Sequence, residues 1–221
     1  MTEQYIYNSF NSFIFSNDSK VFGKLAARTT IAFDTVGIPG DIVECGVFKG
    51  SGIMTWLKLK RLLFPNSIKK VIGFDCFDTE GLLGSLSGDE RSRMAELFDS
   101  RSYRHSDAAE YILTRQIIGA GFTHNDFELV KGNVSVTAKE FVDKNPGFKI
   151  SVLYMDLDLA DATYDALTAL WPRVSKGGLV IFDEYAYHEW SESQGVDRFF
   201  KDLDVQLTVL HTECPTAYIR K

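Results

Sequence analysis

Apolar residues follow two different periods along this chain, and the changes from one period to the other mark its elements. Short continuous apolar runs predict buried strands near 42–46, 69–75, 127–131, 149–155 and 178–183. Between them, apolar positions recur at helical spacing and predict helices near 51–63, 107–120, 133–144, 160–171 and 194–202. Strand and helix alternate from Gly40 onward, the pattern of an α/β, Rossmann-like fold with helices on both faces of its sheet. Two last β-rich stretches, Val205–Leu210 and Thr216–Ile219, suit a hairpin-like pair that closes a mostly parallel, seven-stranded sheet.

Ahead of this alternation, Tyr5, Ile6, Phe10, Phe13 and Phe15 mix with polar positions and predict an amphipathic helix or a mobile lid. A second helix is predicted from Ser19 to about Val36, with Val21, Phe22, Leu25, Ala26, Thr29, Ile31 and Ala32 near the helical period. It stops at Gly37-Ile-Pro-Gly40, so residues 1–39 are expected to form a helical cap. Residues 80–106 are rich in Gly, Ser and charge and too long for a simple connection, which predicts a lid insertion.

Composition narrows the class. With 221 residues and 45% hydrophobic positions, the chain suits one domain, residues 1–221. A net charge of -6 argues against a duplex nucleic-acid binder, whose affinity comes from phosphate neutralisation. Cys45, Cys76 and Cys214 are scattered and lack a C-x-x-C pair, so neither a disulfide framework nor a zinc site is expected. No basic leader opens the sequence and no apolar run approaches the ~18 residues of a membrane span. A cytoplasmic protein is the expectation.

The chemistry gathers at strand ends. The run Ile150–Met155 leads into Asp156-Leu-Asp158, and Leu179–Phe182 leads into Asp183-Glu184. Ligands of parallel sheets sit at the carboxyl ends of strands. Four carboxylates on one such edge need a shared cation or proton, because close like charges cannot all ionise, and a hard divalent metal is the economical choice. Helix capping is the plainer alternative, with Asp158 ahead of the helix beginning near Ala160.

The first strand ends in Glu44-Cys-Gly46-Val-Phe-Lys-Gly50-Ser51-Gly52, a glycine-rich turn into a helix, and Asp75 ends the next strand 25 residues after Gly50. Such a turn lets a cofactor approach unpaired helix N–H groups, while the acid accepts from ribose hydroxyls. A dinucleotide fingerprint is broken by Phe48, and Glu44 suits the amino group of S-adenosylmethionine better than a pyrophosphate, leaving NAD as the runner-up. Gly132 and Asn133 either line an adenine pocket or form a plain turn. Tyr185, His188 and Trp190 are weaker candidates near the acids. Arg91, Arg93, Arg101 and Arg104 suit a diphosphate or, interleaved with Asp89, Glu90, Glu96 and Asp99, a solvated lid helix.

Several ordered motifs also carry a resemblance. Glu44-Cys-Gly-Val-Phe-Lys-Gly50, Gly73-Phe-Asp-Cys-Phe-Asp78, Asp156-Leu-Asp-Leu159 and Gly177-Gly-Leu-Val-Ile-Phe-Asp-Glu-Tyr185 resemble the macrocin O-methyltransferase family from about Arg28 to Phe200. The resemblance implies a class I S-adenosylmethionine-dependent methyltransferase that uses Mg²⁺ on a sugar hydroxyl, whether nucleotide-linked, in a polysaccharide precursor or on a natural product. It implies that Asp156, Asp183 and Glu184 ligate Mg²⁺ and that Asp158 is the general base, although the family's Asp-Asp-Tyr is Asp183-Glu184-Tyr185 here. The implied cofactor set is Glu44, Gly46, Gly50, Ser51, Asp75, Gly132, Asn133 and Asp156. A catechol or other vicinal-diol acceptor, an NAD-dependent oxidoreductase or epimerase, and a cofactor-binding partner module are the rival readings. The resemblance, with exposed aromatic residues near the N-terminus, also implies a homodimer.

Overall fold

The computed structural model describes residues 2–103 and 108–221. Helices α1 (Glu3–Ile14) and α2 (Ser19–Asp34) precede β1 (Asp41–Cys45), α3 (Ser51–Leu63) and β2 (Val71–Asp75). Next come α4 (Thr79–Ser85), α5 (Gly88–Ser100), α6 (Ala109–Gly119), β3 (Phe127–Lys131), α7 (Val134–Lys144) and β4 (Ile150–Met155). The chain closes with α8 (Ala160–Leu170), β5 (Val174–Phe182), α9 (Glu192–Phe200), β6 (Leu207–Val209) and β7 (Ala217–Arg220).

The sheet runs in the order β3-β2-β1-β4-β5-β7-β6. The first five strands are parallel, and β7 lies antiparallel to both β5 and β6. Strand order reverses between β1 and β4, so a crevice opens at their carboxyl ends. Alternate residues of β4 serve opposite faces: Leu153 and Met155 join the cluster under α7, α8 and α9, whereas Val152 and Tyr154 join the one under α2, α3 and α6. The second helix is therefore a layer of the core through Ala27, Ile31 and Ala32 as well as part of the cap. By contrast, α1 buries none of its residues.

The principal differences from the sequence reading are local. Residues of the expected lid form α4 and α5, which share a third cluster of Leu83, Met94, Phe98 and Tyr103 with Leu159. Arg91 donates to the Leu83 carbonyl and Arg93 to the Glu189 carbonyl, so these two guanidinium groups tie backbone; Arg104 lies outside the described residues. The helix predicted over 107–120 spans Ala109–Gly119, and Asp107 also lies outside the described residues. Among the described residues, no helix is long and apolar enough to cross a membrane.

Two contacts lock β1 to its surroundings. Gly46 has φ +89°, and a Cβ there would stand 1.8 Å from the carbonyl oxygen of Asp156, so only glycine lets the ends of β1 and β4 come together. Below it, buried Arg28 of α2 donates to buried Glu44 of β1 at 2.9 Å, its guanidinium 4.3 Å from the ring of Tyr154. Burial pushes the Glu44 carboxyl up to about 7, against the pull of Arg28.

Gly46→Ala is expected to lose at least about 2 kcal/mol in urea denaturation, whereas Gly119→Ala, where a Cβ meets nothing within 4 Å, is neutral or gains up to about 1 kcal/mol. Equal effects would refute the close-approach argument. Because native Glu44 holds its proton more tightly than the unfolded chain does, its contribution is full below about pH 4.5 and is lost as pH rises through about 7. The loss is roughly 3 kcal/mol, and Glu44→Gln is expected to flatten the fall in stability over that window. Parallel pH profiles for the two proteins would count against it.

Candidate active site at the carboxyl edge of the sheet

Adjacent strands deliver the acids. The Asp156 N–H donates to the Cys45 carbonyl at 2.8 Å and the Asp183 N–H to the Met155 carbonyl at 2.9 Å, which sets the ends of β1, β4 and β5 side by side. Asp183 is fully buried, and its Oδ1 accepts from the Tyr154 hydroxyl at 2.5 Å. The Lys24 ammonium stands 2.6 Å from Asp183 Oδ2 and 3.1 Å from Asp156 Oδ2. Lys20 pairs with Glu184 Oε1 at 3.2 Å, and the Cys214 thiol reaches the same oxygen at 3.5 Å.

Lys20, Lys24 and Arg28 thus form a ladder at four-residue spacing, which places them along one face of α2. The apolar period of this helix is the stronger pattern in the sequence, and it masks the cations. Their spacing was visible, but their partners lie 164, 132 and 16 residues away.

Electrostatics follow from burial and crowding. Burial opposes charge on Lys24, and Asp156 and Asp183 override it, so the ammonium is held more firmly than usual. Asp183 is pushed up to about 6 by burial and by Asp156, against Lys24 and Tyr154. Glu184 is raised by burial against the pull of Lys20. Asp158 is raised well above the carboxylate range, first by burial and then by Asp156, Glu184 and Asp183.

Asp158 also has φ +64°, and it does not cap α8. The first N–H of that helix donates instead to the Ser191 hydroxyl at 2.9 Å, while the Ser191 N–H donates to the Asp158 carbonyl at 3.0 Å. Ser191 pins the turn that presents Asp158, and Glu192 does the same for Glu184 by accepting its N–H at 3.0 Å. Tyr185 donates to Asp197, Trp190 packs on the third cluster, and His188 is exposed.

The glycine turn expected to receive a cofactor follows Gly46. Gly50, in the left-handed region, precedes α3 without a side-chain cap, and Ser51 opens the helix at the surface. The first-turn N–H groups of α3 therefore fit a carboxylate or other anion. Asp75 accepts from the N–H groups of Val47 and Phe48 on Oδ2 and from Phe77 on Oδ1, with the Cys76 thiol at 3.5 Å. Two donors on each oxygen occupy the roughly four acceptor sites of a carboxylate. Asp75 is thus a tie for the glycine turn.

Glu44 differs from its expected place. It does not line an open surface: Oε1 is bonded to Arg28, and a Cβ on Gly52 would fall 1.9 Å from that same atom. Its other oxygen is buried and unpartnered among the described residues. Gly132 donates to the Asp75 carbonyl, and the Asn133 side chain caps α7 through the Ser135 N–H. Tyr103 donates to the Phe48 carbonyl and its ring lies 4.0 Å from that of Phe48, closing the turn from above.

For a metal, the donor types decide the fit. Mg²⁺ takes oxygen ligands, and the carboxylates of Asp156, Asp183 and Glu184 match it in kind. Glu184 Oε2 is buried and unpartnered among the described residues. Ligand atoms of Asp183, Glu184 and Cys214 lie within 4.8 Å of one another, but a thiol is a poor Mg²⁺ ligand, and Asp156 is held apart on Lys24. The set fits a divalent ion once that ammonium stands aside.

Comparison with known proteins gives this edge a lineage. The chain is 28% identical over 178 residues to the 8-demethyl-8-(2,3-dimethoxy-alpha-L-rhamnosyl)-tetracenomycin-C 4'-O-methyltransferase of Streptomyces olivaceus, covering 76% of this chain and 64% of that protein. It is 27% identical over 187 residues to the mycinamicin III 3''-O-methyltransferase of Micromonospora griseorubida, covering 77% and 67%. The chain thus spans about two thirds of the length of these relatives. Among solved structures, the apo form of CalS11, a TDP-rhamnose 3'-O-methyltransferase, superposes with a TM-score of 0.71 at 23% identity, covering 100% of this chain and 86% of that one. That likeness shows the class I methyltransferase fold. Residues 25–221 match the macrocin O-methyltransferase (TylF) family, so Arg28 and every acid of the edge lie within the matched segment and Lys20 and Lys24 lie ahead of it. With the match running over most of its length, this chain belongs to the macrocin O-methyltransferase family.

Proposed function

We propose that the chain transfers the methyl group of S-adenosylmethionine to a sugar hydroxyl, assisted by Mg²⁺ at the acid edge. One observation carries the reading: the glycine turn ahead of α3 and the carboxylates after β4 and β5 meet at Gly46, whose missing Cβ brings the turn against Asp156. A cofactor bound on one side of that contact faces an acceptor bound on the other. Family membership supports the methyl transfer, and the rhamnosyl group in the name of the tetracenomycin relative supports a deoxysugar acceptor.

The chain's own groups divide the work. The first-turn N–H groups at Ser51 and beyond receive the amino-acid end of the cofactor, Asp75 fixes the turn beside the ribose, and Gly132 and Asn133 flank the base. Asp156, Asp183 and Glu184 would hold Mg²⁺, which supplies stabilisation of the developing alkoxide. Asp158 takes the hydroxyl proton. Its carboxyl is raised by burial and by Asp156, Glu184 and Asp183, against the pull of Lys24, so it holds a proton more tightly than an ordinary carboxylate. Positioning supplies the rest, with nucleophile and methyl carbon held at about 3–3.5 Å.

Titration with S-adenosylhomocysteine is expected to show micromolar binding, with none for NAD; the reverse result would refute the cofactor assignment. Labelled methyl transfer to a panel of nucleotide deoxysugars, glycosylated natural products and catechols then identifies the acceptor class, and label on catechols alone would refute the sugar reading. Asp158→Asn is expected to lower kcat about 100-fold or more while S-adenosylhomocysteine affinity stays within about twofold. Normal turnover would remove Asp158 as the base.

A further inference from the structure

The three carboxylates proposed to hold Mg²⁺ are the same three that α2 neutralises. Lys24 stands 2.6 Å from Asp183 and 3.1 Å from Asp156, and Lys20 stands 3.2 Å from Glu184. An ammonium this close to both aspartates fills the volume that a bridging cation needs, and two such charges side by side repel strongly.

The helix that carries these lysines is held in two different ways. Its second half is anchored by apolar burial of Ala27, Ile31 and Ala32 and by the Arg28–Glu44 pair. Its first half buries only Gly23, against the Cys214 carbonyl and Thr212, while Val21, Phe22 and Leu25 face solvent. Ion pairs are therefore the chief attachment of the first half. The family match begins at residue 25, directly after Lys24.

We infer that the first half of α2 is an internal counter-ion strap: Lys20 and Lys24 occupy the seat of the divalent cation, and docking of this half-helix and binding of the cation exclude one another. This inference rests on the metal reading above. Without the cation, the strap offsets part of the negative charge of the acid edge and covers the acceptor side. When a cation enters, the lysines withdraw while Arg28 keeps the second half of α2 on the sheet.

Mn²⁺ serves as the probe, its free concentration counted by electron paramagnetic resonance, with S-adenosylhomocysteine titrated alongside. Lys24→Met is expected to bind Mn²⁺ about tenfold or more tightly than the unaltered protein, and Lys24→Arg, which keeps the charge, to bind it as weakly. In the unaltered protein, saturating Mn²⁺ is expected to speed amide hydrogen exchange about tenfold over residues 19–26 and leave residues 27–34 protected. Equal Mn²⁺ affinity in all three proteins, or α2 protection unchanged at saturation, would overturn the strap while sparing the metal reading. If none of the proteins binds Mn²⁺ while all bind S-adenosylhomocysteine, the metal reading falls and the strap with it.

Discussion

Charge balance at one edge of the sheet governs the rest of this structure. Asp156, Asp158, Asp183 and Glu184 converge there, with Glu44 and Glu192 beneath them, and such a group cannot ionise fully in a dry setting. The ladder of Lys20, Lys24 and Arg28 answers part of that charge, and retained protons answer the remainder, as the raised Asp158 and Glu192 carboxyls show. Removing one partner from a buried pair such as Arg28–Glu44 costs about 3–5 kcal/mol, because a lone charge is left in the interior. The position of α2 is thus set by electrostatics as firmly as by the apolar residues it shares with α3.

How much of this was legible in the sequence depends on the range of the interaction concerned. Strands buried on both faces announce themselves as apolar runs, so β1 to β5 stand close to where the pattern puts them. Of the last two strands, β6 at the sheet edge is shorter than the pattern predicts, Leu207–Val209, whereas β7 keeps the predicted length one residue further on, Ala217–Arg220. Helices α4 and α5 were hidden by glycine and charge. They form because a few residues, Leu83, Met94 and Phe98 among them, find Phe48 and Leu159 from other parts of the chain. Likewise Asp158 looked like a cap, but Ser191, 31 residues beyond Ala160, accepts that N–H and leaves the carboxyl of Asp158 to the acid edge.

Residues in strand-end motifs serve architecture before chemistry. The spacing of Asp75 points to a ribose acceptor, yet three backbone N–H groups already hold its oxygens and fix the turn from Val47 to Phe77. The place of Glu44 ahead of the glycine turn points to a partner for a cofactor's amino group, yet it sits below the surface on Arg28. Both assignments came from residue type and spacing, which are the same for an acid that faces a ligand and for one that ties a loop. Only the direction of the carboxylate separates the two, and that direction is set by tertiary contacts.

These two findings bear on each other. The glycine turn is tied by Asp75 and closed by Tyr103 over Phe48, whereas the acid side is held by lysines on a half-helix with little apolar anchorage. On the reading proposed above, the cofactor meets the tied side and the acceptor the less anchored one. The shared point is Gly46, which packs against the Asp156 main chain and leaves no room for a side chain between the turn and the end of β4. An exchange of ammonium for cation that shifted the Asp156 backbone would therefore reach the glycine turn through this one contact rather than through a long chain of side chains.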